Sequence, residues 1–216
     1  MEHHPNAGKL QDQEKLINVA HLTSAFYRYI PDTNIPNQKV SFGTSGHRGN
    51  ALETTFNELH IASICQALAE YRATNHITGP CFVGKDTHAL SEPALITAIE
   101  VLTANSVDVV IQENNGFTPT PVISRAIIRH NAIVGNCDQQ ADGIVITPSH
   151  NPPTDGGFKY NETHGGPAAG QTTSWIENRA NELMAEGFAK IVRMPIKEAM
   201  ASTYVWEYTT VSNCSR

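Results

Sequence analysis

The chain of 216 residues is long enough for one large domain, and its composition, 40% hydrophobic and 17% charged, is typical of a globular protein. A net charge of −6 and a pI of about 5.9, with no cluster of lysine and arginine, argue against a nucleic-acid-binding surface. The amino terminus has no signal-like apolar region and no run approaches membrane-spanning length, so we expect a cytoplasmic protein that binds neither nucleic acid nor membranes.

Apolar periodicity predicts strands that alternate with helices after a polar amino terminus. The predicted helices cover residues 15–29, 56–74, 91–105, 120–130, 172–184 and 196–201. The predicted strands are Cys81–Val83, Val107–Ile111 and Asp142–Ile146, with a short strand-like run at Lys39–Ser41. Ser91 is the expected N-cap of the third helix. The alternation predicts a three-layer α/β/α fold whose parallel strands are joined by right-handed connections.

The loop Thr147–Gly156 follows the apolar run Gly143–Ile146, which reads as a buried strand. Open α/β sheets bind their ligands in loops at the carboxyl ends of strands. Three prolines restrict the backbone of this loop, so we expect Ser149 and His150 to be held rigidly. Two glycines then permit close backbone approach, and Lys159 supplies a cation. The pattern predicts a serine that carries a phosphoryl group.

Taken alone, this loop leaves other interpretations open. Ser149 could be an ordinary turn residue, because serine, proline and asparagine are common in turns. A serine hydrolase is disfavoured, since Thr147 and Asn151 stand where the nucleophile elbow G-x-S-x-G needs glycine. The sequence contains no Walker A, H-E-x-x-H or G-x-G-x-x-G motif.

A second loop, Phe42–Gly49, alternates glycines with hydroxyl groups and a guanidinium. Such a loop can direct backbone N–H groups and the side chains of Thr44, Ser45 and Arg48 at a phosphate. By itself it could equally be a glycine-rich turn. Together, F-G-T-S-G-H-R-G and T-P-S-H-N-P-P resemble the signatures of the α-D-phosphohexomutases, and most closely those of their bacterial phosphoglucomutase branch.

The resemblance runs from about Leu16 to Ala201 and includes the segments Gly84–His88 and Asn114–Pro121. It implies an α/β/α sandwich on a mixed sheet. It also implies a phosphoglucomutase reaction, in which glucose 1-phosphate becomes glucose 6-phosphate through glucose 1,6-bisphosphate and an enzyme phosphoserine. The bisphosphate is then an activator, and a phosphosugar is the substrate.

The resemblance assigns roles to individual residues. Ser149 is the phosphoserine, and its phosphate is a ligand of Mg²⁺. Arg48 matches the active-site arginine, and Lys159 matches a lysine suited to acid/base work at the sugar hydroxyl. His150 could hydrogen-bond the phosphate or the substrate, or it could only shape the loop. Thr44, Ser45 and Gly46 are the expected phosphate-binding residues.

Several neighbouring residues are interpreted as structural. His47 occupies a variable position of the signature and is expected to be structural. Lys85 and Asp86 could be a charged pair of a turn at a strand end, and they are left out of the predicted site. Lys159 itself could be an ordinary solvated lysine.

The predicted organisation is an extension and helix over 1–38, domain I of the family over 39–201, and a tail over 202–216. The tail departs from the family pattern, as expected of a truncated chain. Similar phosphohexomutases have four domains, and their aspartate-rich metal loop has no counterpart here. We therefore expect weakly held Mg²⁺ and little or no mutase turnover by this chain alone. A non-catalytic remnant or phosphosugar-binding module, and a phosphomannomutase specificity, are the alternatives.

Overall fold

The computed structural model describes residues 6–10, 12–13, 16–43 and 46–209. The helices in these ranges are α1 (Val19–Arg28), α2 (Glu58–Thr74), α3 (Ser91–Ala104), α4 (Thr120–Val134), α5 (Gly170–Ala185) and α6 (Ile196–Ala201). The strands are β1 (His47–Asn50), β2 (Cys81–Lys85), β3 (Val109–Gln112), β4 (Asp142–Ile146), β5 (Asp155–Asn161) and β6 (Val205–Tyr208).

These strands form one mixed sheet in the order β1-β5-β4-β2-β3-β6. The four strands from β4 to β6 in that order are parallel to one another. Strand β5 is antiparallel both to β4 and to β1. The mixed sheet expected from the family resemblance is confirmed.

Every residue of the central strands β2 and β4 is buried, and their apolar side chains alternate between two cores. Phe82 and Val145 pack against α4, with Ile123 and Ile127. The larger core lies on the opposite face, where α2, α3 and α5 cover the sheet; from β2 and β4 it receives Cys81, Val83, Ile144 and Ile146. Helices therefore cover both faces, and the three-layer α/β/α fold is confirmed.

The segment Lys39–Ser41 is not a strand, contrary to the sequence-based prediction. Its backbone groups bond to side chains of α5 instead of to a neighbouring strand. Val40 donates its N–H to Asn181 Oδ1 at 3.0 Å and accepts from Asn181 Nδ2 at 2.9 Å, and Phe42 N donates to Glu177 Oε2 at 2.6 Å. The strand begins only after the turn, at His47.

Other differences concern element ends and edge strands. Helix α1 begins later than predicted because Asn18 caps it, accepting from His21 N at 3.0 Å. Ser91 is the first residue of α3 and not its N-cap; its hydroxyl donates to Asp86 at 2.6 Å. Strands β1, β5 and β6 were not predicted. Strand β6 lies in the tail that begins at residue 202, and it pairs with β3.

None of the helices in the described part of the chain has the length and apolarity needed to cross a membrane.

Candidate functional site

The candidate site lies on one face of the β1-β5 pair, and the register of that pair decides which side chains reach it. His47 lies opposite Phe158, and both point into the larger core. Because side chains alternate along a strand, Arg48 and Lys159 point to the other face. Gly46 lies directly against Lys159, since a Cβ atom on this glycine would be 2.8 Å from Lys159 Cγ.

Gly157 lies opposite Arg48 in β1, so its missing side chain leaves space on this same face. The backbone of Thr147 and Pro148 fills that space, and a Cβ atom on Gly157 would overlap both residues. The loop after β4 can therefore cross closely over β5. This crossing brings Ser149 to the face that carries Arg48 and Lys159.

Ser149 is exposed and its hydroxyl oxygen accepts a hydrogen bond of 2.6 Å from Lys159 Nζ. Its backbone has φ 65°, in the left-handed region that residues with a side chain enter at a cost of roughly 1–2 kcal/mol. Ser149 N donates to Thr147 Oγ1 at 2.9 Å, which ties the peptide group before the serine to the end of β4. The serine is thus presented in a strained and specific orientation, as active-site residues often are.

Arg48 contacts the same loop two residues after the serine. Its Nη1 donates to Asn151 Oδ1 at 3.3 Å, and Asn151 Nδ2 donates to Asp155 Oδ2 at 3.1 Å. The pKa of Lys159 is lowered, first by partial burial and then by the Arg48 charge, while Asp86 opposes the shift. These effects increase the neutral fraction of the lysine amine, which a proton acceptor requires.

A carboxylate that the sequence prediction left out of the site, Asp86, underlies the serine loop. It follows β2 and accepts from Ser91 Oγ at 2.6 Å and from His88 N at 2.9 Å, while His88 Nδ1 lies 2.8 Å from its second oxygen. The Thr147 side chain also favours the ionised form of this carboxylate and so lowers its pKa. Burial raises the pKa of Asp86, but these hydrogen bonds outweigh it and lower the pKa overall. Asp86 is therefore more than a turn residue; the G-K-D-T-H segment was the available signal.

The remaining predicted residues divide into three groups. Thr44 and Ser45 lie outside the described residues. His150 is exposed beside Ser149 and makes no hydrogen bond to another described residue. His47 is buried and stacks between Phe56 and His60, as expected of a structural residue. Two of the candidates lie within strands and not in loops, Arg48 in β1 and Lys159 in β5.

The other residue of the excluded pair, Lys85, has a structural role at the end of β2. Its side chain is 2% exposed, forms an ion pair with Glu92 and donates to Asn115 Oδ1 at 2.6 Å. The Phe117 ring lies over its ammonium group, 5.4 Å from Nζ to the ring centroid. The charge is thereby compensated within the fold.

In fold and site, the protein is an α/β/α sandwich that presents a serine hydroxyl to a lysine and an arginine on one face of its sheet. Residues 39–186 match the family model described as phosphoglucomutase/phosphomannomutase, alpha/beta/alpha domain I. The chain therefore belongs to the phosphoglucomutase/phosphomannomutase family and comprises its domain I.

Individual relatives agree with this assignment. A phosphoglucomutase of Komagataeibacter xylinus is 52% identical over 196 residues, 91% of this chain and 35% of that protein. A phosphoglucosamine mutase of Campylobacter fetus is 31% identical over 140 residues, 63% of this chain and 28% of that protein. The solved open form of parafusin, a phosphoglucomutase from Paramecium, has a TM-score of 0.56 and 27% identity, covering 76% of this chain and 27% of that structure. The chain spans about a third of the length of the first relative.

Proposed function

We propose that Ser149 is the phosphoryl carrier of a phosphoglucomutase and that this chain supplies the domain bearing it. The observation that supports this most strongly is the 2.6 Å hydrogen bond from Lys159 Nζ to Ser149 Oγ, beside the guanidinium of Arg48. A phosphoserine carries about −1.5 to −2 charge, so it needs cations close by. Two are within reach here.

In the proposed reaction, a sugar hydroxyl oxygen bonds to the phosphorus of phosphoserine as the bond from phosphorus to Ser149 Oγ breaks. Lys159 donates a proton to the departing Oγ and then takes up the proton lost by the sugar hydroxyl. In the reverse direction the neutral amine removes the serine proton. Arg48 stabilises the negative charge on the transferred group. The lowered pKa of Lys159 favours both roles because it brings the two protonation states closer in energy.

Magnesium enters this proposal only as a partner of the phosphate. No group of three or more His, Cys, Asp or Glu side chains that could hold a metal occurs among the described residues. Mg²⁺ prefers octahedral oxygen coordination, and Asp86 is already engaged by its own donors. The described residues therefore do not form a metal site by themselves, and no step of the proposed reaction depends on one.

The test is transfer of phosphate from glucose 1,6-bisphosphate to the protein, followed by intact and peptide mass spectrometry. We expect phosphate on Ser149, none on the Ser149→Ala variant, and normal uptake by Ser174→Ala, which changes an exposed serine of α5. Phosphate on another residue, or an unmodified protein, contradicts the proposal.

The role of Lys159 can be separated from its charge. Lys159→Arg keeps a cation but removes a usable base, because the arginine pKa exceeds 12. We expect uptake to slow by about a hundredfold or more, the usual contribution of acid/base catalysis. Lys190→Arg, an exposed control on a surface ion pair, should behave as wild type. An undiminished rate in Lys159→Arg would contradict the acid/base role.

Sugar preference belongs to the same proposal. The similarity to both a phosphoglucomutase and a phosphoglucosamine mutase motivates comparing glucose 1-phosphate, mannose 1-phosphate and glucosamine 1-phosphate as acceptors of phosphate from phosphorylated protein. We expect glucose 1-phosphate to discharge Ser149 fastest; faster discharge by mannose 1-phosphate would favour the phosphomannomutase alternative. The cytoplasmic location stays a prediction.

A further inference from the structure

We propose that Glu177 and Asn181 of α5 are positioning residues for Arg48. Their side chains hold the segment Val40–Phe42 beside β1, the strand that carries Arg48. The catalytic consequence of this inference rests on the proposed function. The positioning itself is a property of the fold and can be measured separately.

Strand β1 needs lateral support because it has only four residues and lies at the edge of the sheet. Strand β5 is its neighbour on one side. On the other side Phe42 pairs with His47 in a single antiparallel bridge. The N–H and the carbonyl oxygen of Ser41 lie 3.2 Å and 3.3 Å from His47 Nδ1, so either tautomer of the neutral ring can bond to Ser41. The segment Val40–Phe42 thus takes the place of a further strand.

Helix α5 holds this segment through side chains instead of a backbone ladder. A carboxamide carries an acceptor oxygen and N–H donors, as a peptide group does. Asn181 uses both on Val40, accepting from its N–H at 3.0 Å and donating to its carbonyl oxygen at 2.9 Å. Glu177 accepts from Phe42 N at 2.6 Å, a charge-assisted and therefore stronger hydrogen bond. Val40 and Phe42 bond to α5 and Ser41 between them to His47, which is the alternation of an extended strand.

The two α5 side chains lie one helical turn apart, so they share a face of the helix. The helix is anchored by Ile176, Ala180 and Leu183, which are fully buried in the larger core. Val40 and Phe42 are buried as well, so their amide groups need partners within the protein. The position of α5 in the core therefore sets the position of the segment.

Arg48 follows His47 in β1 and is directed to the opposite face, where its Nη1 donates to Asn151 Oδ1 at 3.3 Å. The pairing of Arg48 with Gly157 in β5 fixes the strand along one edge only. A displacement of about 1 Å at a catalytic group can cost about a hundredfold in rate. A charge that must be placed this closely gains from support along both edges of its strand.

Paired substitutions on α5 test the inference in the full chain. Asn181→Leu keeps the approximate size of the side chain but removes both hydrogen bonds. Asn178→Leu makes the same change at an exposed position of the same helix and is the matched control. Glu177→Met removes the acceptor of the Phe42 N–H, whereas Glu177→Gln keeps an acceptor oxygen and removes the charge. Amide hydrogen exchange reports the segment and β1 independently of any activity, with Ile144 in the central strand β4 as internal reference.

We expect exchange in the segment Val40–Phe42 to accelerate about tenfold in Asn181→Leu and in Glu177→Met, the effect of losing a hydrogen bond. In both variants the amides of β1 should exchange about threefold faster, because the pairing with β5 remains, and Ile144 should be unchanged. Asn178→Leu and Glu177→Gln should stay within about twofold of wild type. Unchanged exchange in β1, or equal acceleration at Ile144, would overturn the positioning role.

The catalytic consequence is measured as the rate of phosphate uptake from glucose 1,6-bisphosphate. The rate should fall about tenfold in Asn181→Leu and Glu177→Met and stay close to wild type in Asn178→Leu and Glu177→Gln. An Arg48→Gln background distinguishes positioning from general loosening of the fold. In that background Asn181→Leu and Glu177→Met should lower the rate by less than about twofold, because the group that they position is gone.

A loss of about tenfold in the Arg48→Gln background as well would overturn the link to Arg48. Accelerated exchange in β1 with an unchanged uptake rate would overturn the catalytic consequence. If the wild-type protein takes up no phosphate at Ser149, the proposed function fails, whereas the exchange data still decide whether α5 positions β1.

Discussion

Lowering the pH from about 7.5 to about 5 should destabilise this protein by about 4 kcal/mol through His47 and His60 alone. The two rings stack in the larger core at 5.2 Å between centroids, and both residues are buried. Burial lowers the pKa of His47 to about 3, with a further contribution from His60, and lowers the pKa of His60 to about 4.

The sign follows from where each proton binds. In the unfolded chain both histidines take up protons below about pH 6.5. In the folded protein His60 stays neutral until the pH approaches its pKa of about 4, and His47 until the pH approaches its pKa of about 3. The stability is therefore complete above about pH 6.5 and is lost as the pH falls through that window. At about pH 5 the unfolded-state pKa of each ring lies about 1.5 units above the pH. At 1.36 kcal/mol per unit, this corresponds to about 2 kcal/mol of lost stability for each ring.

Urea unfolding at several pH values measures this directly. His47→Asn keeps an acceptor for Ser41 N, which donates to His47 Nδ1 at 3.2 Å, and His60→Gln keeps a group able to donate to Gln38 O. Each variant should lose about 2 kcal/mol of the pH dependence, and the double variant about 4. His21→Gln, on the exposed surface of α1, is the control. A double variant whose stability falls with pH as steeply as wild type would refute this reasoning.

Two other predictions concern the buried ion pair and the serine loop. Arg72→Met should lower the free energy of unfolding by about 3–5 kcal/mol, because it leaves the Asp142 carboxylate, held also by Tyr160 OH at 2.6 Å, without its cation. Lys190→Met, which breaks an exposed pair with Glu186, should cost about 1 kcal/mol or less, and equal losses would show that burial is not the cause. Ser149→Gly should be more stable than Ser149→Ala by about 1 kcal/mol, since only glycine adopts φ 65° without strain; thermal unfolding that ranks alanine first would contradict this.

Buried continuous strands were the most predictable part of this fold. Strand β4 was predicted with its observed bounds because the run Gly143–Ile146 of apolar or small residues precedes a proline-rich loop. Strand β1, the sequence His-Arg-Gly-Asn, has no apolar pattern. Its pairing with β5 accompanies the burial of His47 on one face and the close approach of Thr55 to Gly49, where a side chain would clash. Such tertiary constraints leave no periodic pattern in the sequence.

The candidate site shows the same division. Ser149, Lys159 and Arg48 were predicted from local motifs, and the structure brings them together. Asp86 was missed because its significance depends on how the turn after β2 folds around it, where Ser91 Oγ and His88 N donate to its carboxylate. Before folding, an aspartate after a strand is indistinguishable from an ordinary turn residue.

Strands β4 and β5 form one hairpin, with Val145 opposite Lys159, and this makes the site unequally tolerant of changes in chain length. A deletion within Gly156–Phe158 would turn Lys159 by one position, towards the face that now holds Phe158, because side chains alternate with every residue. The connecting loop has no such alternation of side chains between two faces. A change in length within the loop would leave Lys159 on its present face, whereas a change by one residue in the strand that follows would turn it away from Ser149.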